Sequence, residues 1–84
     1  MKPRDVTLAL LTSRAPGKTV CPSEVAKTVV ANTDPGNWRS AMPAVHAAID
    51  GLLDIGLVRL SWKGKALKTR SGPYRIGRGA SWVS

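Results

Sequence analysis

The chain has 84 residues, three Trp, no Phe and a formal net charge of +8, which suits one domain with a single modest core. Its one cysteine excludes an intramolecular disulfide and fits a reducing compartment, so a cytoplasmic protein is expected. The apolar stretch Val6–Leu11 is too short to span a bilayer and no secretory cleavage pattern follows it, so neither a membrane role nor a leader is expected.

The charge is segregated. All five acids (Asp5, Glu24, Asp34, Asp50 and Asp54) lie before position 57, where they nearly cancel six bases. Residues 57–84 hold seven bases and no acid, so that segment carries +7 of the total. A field of that size attracts polyanions.

Residues 4–13 read as a first helix, with Val6, Ala9, Leu10 and Ser13 on one face, widened by Leu8 and Leu11. Asp5 lies in its first turn, where a negative charge suits the dipole. Ala15-Pro16-Gly17-Lys18 ends it. Thr19-Val20-Cys21 is a short extended link. Pro22 then opens a second helix, where its missing N–H costs nothing, with Val25, Ala26, Val29 and Val30 as the apolar stripe. Residues 32–37 (NTDPGN) break it.

A third helix is expected from about Trp38 to Asp54, capped by Asp34 or Asn37. Met42, Val45, Ile49, Leu52 and Leu53 form its core stripe. Either Pro43 marks the start of the helix proper, or Trp38–Met42 is a separate turn leading in. Gly56 is the expected stop. The period then changes: Val58, Leu60 and Trp62 alternate with Arg59, Ser61 and Lys63, as in a half-buried strand with a basic outer face. Lys63-Gly64-Lys65 can turn, and residues 68–72 make a longer basic loop. Tyr74-Arg75-Ile76 reads as the returning strand, and Pro73 places it at an edge or at its own beginning. A short strand at Thr19-Val20-Cys21 can pair with it.

The expected fold is therefore α+β, a winged helix-turn-helix of three helices followed by a two-stranded β-wing. Residues 1–78 form a single domain and residues 79–84 a flexible tail.

Several segments carry a resemblance. Pro22-Ser23-Glu24-Val25-Ala26, Trp38-Arg39 with Met42-Pro43, Gly56, Lys63-Gly64 and Gly72-Pro73-Tyr74-Arg75 resemble a family of short bacterial domains of unknown function. The resemblance runs from about Arg4 to Arg78. It implies a winged-helix-like fold and brings no catalytic residues. Where it would lead one to expect Arg in the third helix, this chain has His46, a weaker cationic contact.

Arg59, Lys63, Lys65, Lys68, Arg70 and Arg75 are the wing residues expected to contact phosphates. On the third helix, Arg39, Ser40 and His46 are expected to approach the groove. The rest of that helix is a poor reading head, because Ala47 offers a methyl and Asp50 a repelling carboxylate. Backbone or shape binding is thus expected over base-specific readout. Trp38 and Trp62 read as core fillers in a chain without Phe. Trp82 has no periodic context.

Cys21 precedes a helix without a resolving thiol, which gives it a structural role. His46 and Asp50 share a helix face but have no nucleophile near them, and a lone His with a lone Cys makes no typical zinc site. Gly17-Lys18-Thr19 echoes the end of a P-loop but lacks the earlier Gly and the preceding strand. Neither an enzyme nor a cofactor or metal is expected.

The expected function is a small non-enzymatic nucleic-acid-binding protein, acting on double-stranded DNA through the wing and the third helix. A protein–protein interaction module and an RNA binder are the alternatives. No long dimerisation helix is visible, so a monomer or a weak homodimer is expected.

Overall fold

The computed structural model describes residues 2–82. Helix α1 spans Pro3–Ser13, α2 spans Pro22–Val29 and α3 spans Met42–Asp54. All three carry Pro in the first turn, where no backbone N–H partner is lost. A 3-10 segment, Pro35–Ala41, leads into α3. Trp38 thus lies in a separate turn, and Pro43 falls at the second position of the α-helix proper. The cap expected from Asp34 or Asn37 is not made: Asp34 forms no side-chain cap bond, Asn37 lies inside the 3-10 segment, and Ala41 stands at the N-cap of α3.

The buried face of α1 is rotated from the expected one. Val6, Thr7 and Leu11 are buried, whereas Ala9 and Ser13 are exposed. Thr7 can be buried because its hydroxyl donates to the Pro3 carbonyl one turn back at 2.8 Å. The C-terminus of α3 closes as a Schellman motif. Leu57 N–H reaches the Leu52 carbonyl, Gly56 N–H reaches that of Leu53, and Gly56 takes φ +78°.

The two-stranded wing is corrected to a three-stranded antiparallel sheet in the order β2-β1-β3. Strand β1 is Val58–Trp62, β2 is Lys65–Leu67 and β3 is Arg75–Arg78. Lys63 and Gly64 have φ of 50° and 81°, the pair of positive values used in type I′ hairpin turns. The chain therefore reverses within two residues, and Lys65-Ala66-Leu67 has length left to pair back on β1. The β2–β3 connection then carries the chain to the other edge of β1. Val20 extends that edge, exchanging two 2.8 Å hydrogen bonds with Ile76.

The helices cover one face of the sheet. Val25, Val45, Ile49 and Leu52 from α2 and α3 meet Val58, Leu60 and Ile76 from the sheet in one core. Trp62, expected in that core, is 38% exposed at the end of β1, one residue before the turn. Trp38 is half-buried against the core.

The segment expected to be a flexible tail is hydrogen-bonded as far as Trp82. Gly79 N–H reaches the Leu57 carbonyl, Ser81 N–H that of Gly56, and Trp82 N–H that of Gly79. Val83 and Ser84 lie outside the described residues. Arg78 joins this end to α1. Its Nη2 donates to the carbonyls of Leu11 and Arg14 at 2.9 and 2.8 Å, and its guanidinium lies 5.1 Å from the Trp82 ring centroid. A strand thus supplies the cation that the last turn of α1 lacks. No helix among the described residues is long and apolar enough to cross a membrane.

Candidate nucleic-acid interface

The turn before α3 holds Arg39 and Ser40 at the surface. Arg39 lies over the Trp38 ring with its guanidinium 4.5 Å from the centroid, and Lys27 lies 4.9 Å from the same ring. The Ser40 hydroxyl donates to Asn37 Oδ1 at 2.7 Å, which orients the loop. Beyond them, Pro43, Ala44 and Ala47 expose only small side chains. This exposed strip of the front half of α3 is therefore smooth.

His46 is half-buried, and its Nδ1 lies 2.7 Å from the Tyr74 hydroxyl. Their rings are tilted by 55° with centroids 5.7 Å apart. Burial keeps the imidazole pKa below its ordinary value, and the nearby Arg70 charge lowers it further, against the opposing pull of Asp50. Burial also pushes the Tyr74 phenol up to about 12. The bond occupies Nδ1 whichever group carries the proton, so only Nε2 of the ring remains to meet a ligand.

Asp50, one turn further along α3, accepts two hydrogen bonds from Arg70 on the β2–β3 connection, at 3.0 and 3.1 Å. These bonds hold its carboxyl below the ordinary carboxylate value. The carboxylate that the sequence presents as repelling a polyanion is paired with a cation of the β2–β3 connection. Lys68, Thr69 and Arg70 face Asp50, Leu53 and Asp54 across an open groove of about 490 Å³.

The six cations expected to act together as a wing do not share one surface. Lys63 sits at the tight turn, Lys65 on β2, and Lys68 and Arg70 on the connection beside α3. Arg59 and Arg75 lie on the outer face of the sheet. Arg75 is also tied down, with Nε donating to Thr19 Oγ1 at 2.7 Å and Nη2 to the Thr19 carbonyl at 3.4 Å. The sequence held no sign of the His46–Tyr74 or Arg75–Thr19 contacts, which join residues 28 and 56 positions apart.

Ion pairing leaves most of the cations without a partner. Asp5, Glu24 and Asp50 pair with Arg4, Arg14 and Arg70. Ten of the thirteen Lys and Arg side chains and two of the five carboxylates have no oppositely charged side chain within pairing distance among the described residues.

Cys21 caps α2 through its backbone. Burial alone would raise its thiol pKa, but bonds from the Ser23 hydroxyl and from the Ser23 and Glu24 amides, with the Arg75 charge, lower it. No group of three or more His, Cys, Asp or Glu is placed to hold a metal among the described residues.

These features define a small α+β domain with a strongly basic surface. The chain belongs to DUF3253, a family of proteins of unknown function, whose model matches residues 2–79. A search of curated proteins finds no match.

Proposed function

We propose that this protein is a winged helix that binds duplex DNA without catalysing a reaction. The observation that carries the reading is the pairing of Asp50 with Arg70, which offsets the negative charge in the middle of α3 while most cations stay unpaired. The element order supports the winged-helix assignment: α1, the bridging Val20, α2, the 3-10 turn and α3, then a sheet with a basic connection packed beside α3. In this reading Arg39, Lys63, Lys65 and Lys68 bind phosphates. The smooth front of α3, with Ser40 and His46 Nε2, faces the groove. Small side chains on α3, with Arg39 the guanidinium at its start, favour backbone and shape recognition over base readout.

The test is fluorescence anisotropy of a random duplex of about 30 base pairs at low and near-physiological salt, with heparin as competitor; neutralising four to six phosphates gives a log K against log salt slope of roughly −4 to −5. Binding that vanishes near physiological salt would leave only generic polyanion affinity. Structured RNA in the same assay separates the two nucleic acids. A protein-interaction module is the second reading, favoured by the exposed apolar side chains of Ile55 (56%) and Trp62. It takes precedence if a stable partner co-purifies after nuclease treatment.

A further inference from the structure

We infer that the outer face of the sheet, on the side away from α3, carries a second anion site that takes a small molecule bearing a phosphate monoester. The face opposite the helices holds a groove of about 330 Å³. Its floor is made of small residues: Ser61 pairs with Ala66 across β1 and β2, and Gly77 pairs with Arg59 across β1 and β3. Lys18, Thr19 and Arg59 line it as well, together with part of Arg78, and no acid does.

Lys18 and Arg59 are exposed and make no side-chain hydrogen bond or ion pair among the described residues. The Arg59 guanidinium offers a fork that fits two phosphate oxygens, Lys18 adds a point charge, and the Ser61 hydroxyl adds a neutral donor. Arg75, held by Thr19 on the same face, contributes charge without needing to move.

The shape decides between a small ligand and a polymer. Duplex backbone is met by cations that protrude, whereas these cations border a recess whose volume falls at the lower end of small-molecule pockets. No aromatic side chain lines the groove, so nothing is present to stack a base. The ligand class is therefore a phosphomonoester with a compact polar body, such as a sugar phosphate. Gly17-Lys18-Thr19, whose likeness to a P-loop end has no strand-loop-helix context, gains a use here as one wall of the site.

The test is an amide NMR titration of the intact chain with ribose 5-phosphate, inorganic phosphate and uncharged ribose, alongside a duplex-binding assay. The site requires that both phosphates, but not ribose, shift the Thr19, Ser61 and Gly77 amides. Lys18→Gln and Arg59→Gln, both at exposed positions, should each weaken ribose 5-phosphate binding about tenfold, while Lys68→Gln leaves it unchanged. Absence of shifts at about 10 mM ligand, or equal shifts in the variants, overturns the proposal. So does a duplex that displaces ribose 5-phosphate and loses equal affinity in Arg59→Gln, since the groove would then be a polymer site. Loss of duplex binding in Lys63, Lys65 or Lys68 variants alone bears on the DNA reading and not on this one.

Discussion

Arg70 and Asp50 stand twenty residues apart in the chain and meet through two parallel hydrogen bonds, Nε to Oδ1 at 3.0 Å and Nη2 to Oδ2 at 3.1 Å. The pair fastens the β2–β3 connection to α3. It also sets the sign of the surface there, because each partner masks the other.

Asp50→Asn should therefore strengthen duplex binding, as Arg70 is released to a phosphate and a negative charge is lost. Arg70→Gln should weaken it by uncovering Asp50. Each change is expected to be about three- to tenfold at low salt and smaller at high salt. Anisotropy titrations of both variants check the opposite signs; changes in the same direction would remove α3 from the interface. Asp50 ionises more readily in the folded chain than the ordinary value of 3.8. The contact thus persists below pH 3.8 and is lost as pH falls through the lowered folded value.

Burial of His46, helped by the Arg70 charge, makes stability depend on pH near neutrality. Folding lowers the imidazole pKa from 6.5. Above that pH the ring is neutral in both states. As pH falls through 6.5 the unfolded chain takes up the proton first, so stability declines until the folded value is passed. Thermal melts between about pH 7.5 and 5.5 should show this slope, and His46→Gln should flatten it. Tyr74→Phe removes the hydroxyl from Nδ1 and should cost about 1 kcal/mol at pH 7.5, a fall of roughly 4–8 °C in Tm.

Arg78 is the C-terminal cap of α1 and a partner of Trp82. Arg78→Gln should destabilise by about 1–3 kcal/mol, since two carbonyls lose a charged donor and the ring loses its cation. Urea unfolding followed by Trp fluorescence measures it. Trp82→Ala should cost less, because the helix cap survives; a larger loss for Trp82→Ala would shift the main role to the ring.

Gly79 has no room for a side chain. A Cβ there would lie 2.9 Å from the backbone N and C of Val58. Gly79→Ala should displace residues 79–82 and destabilise by about 2 kcal/mol or more. Gly64→Ala, with open space around it but φ +81°, should cost about 1 kcal/mol. Chemical denaturation of the two variants checks the order.

Hydrophobic period, proline position and charge sequence are local properties, and they determined what local physics can. The three helices, the Pro22 start, the Gly56 stop and the change of period at Val58 follow from residues within a turn or two of one another. So does the excess of base after residue 57. Tertiary structure decided the rest. The reversal at Lys63-Gly64 made β2 out of three residues with no β-branched member, which the alternation of side chains did not mark. Burial of Thr7 turned the face of α1, because its hydroxyl was satisfied on its own helix. Above all, packing divided the basic segment: Lys68 and Arg70 came beside α3, Arg59 and Arg75 to the far side of the sheet, and Arg78 to the end of α1. Charge adds up along a chain, but a field depends on where each charge is held, and those places were fixed by contacts between residues tens of positions apart.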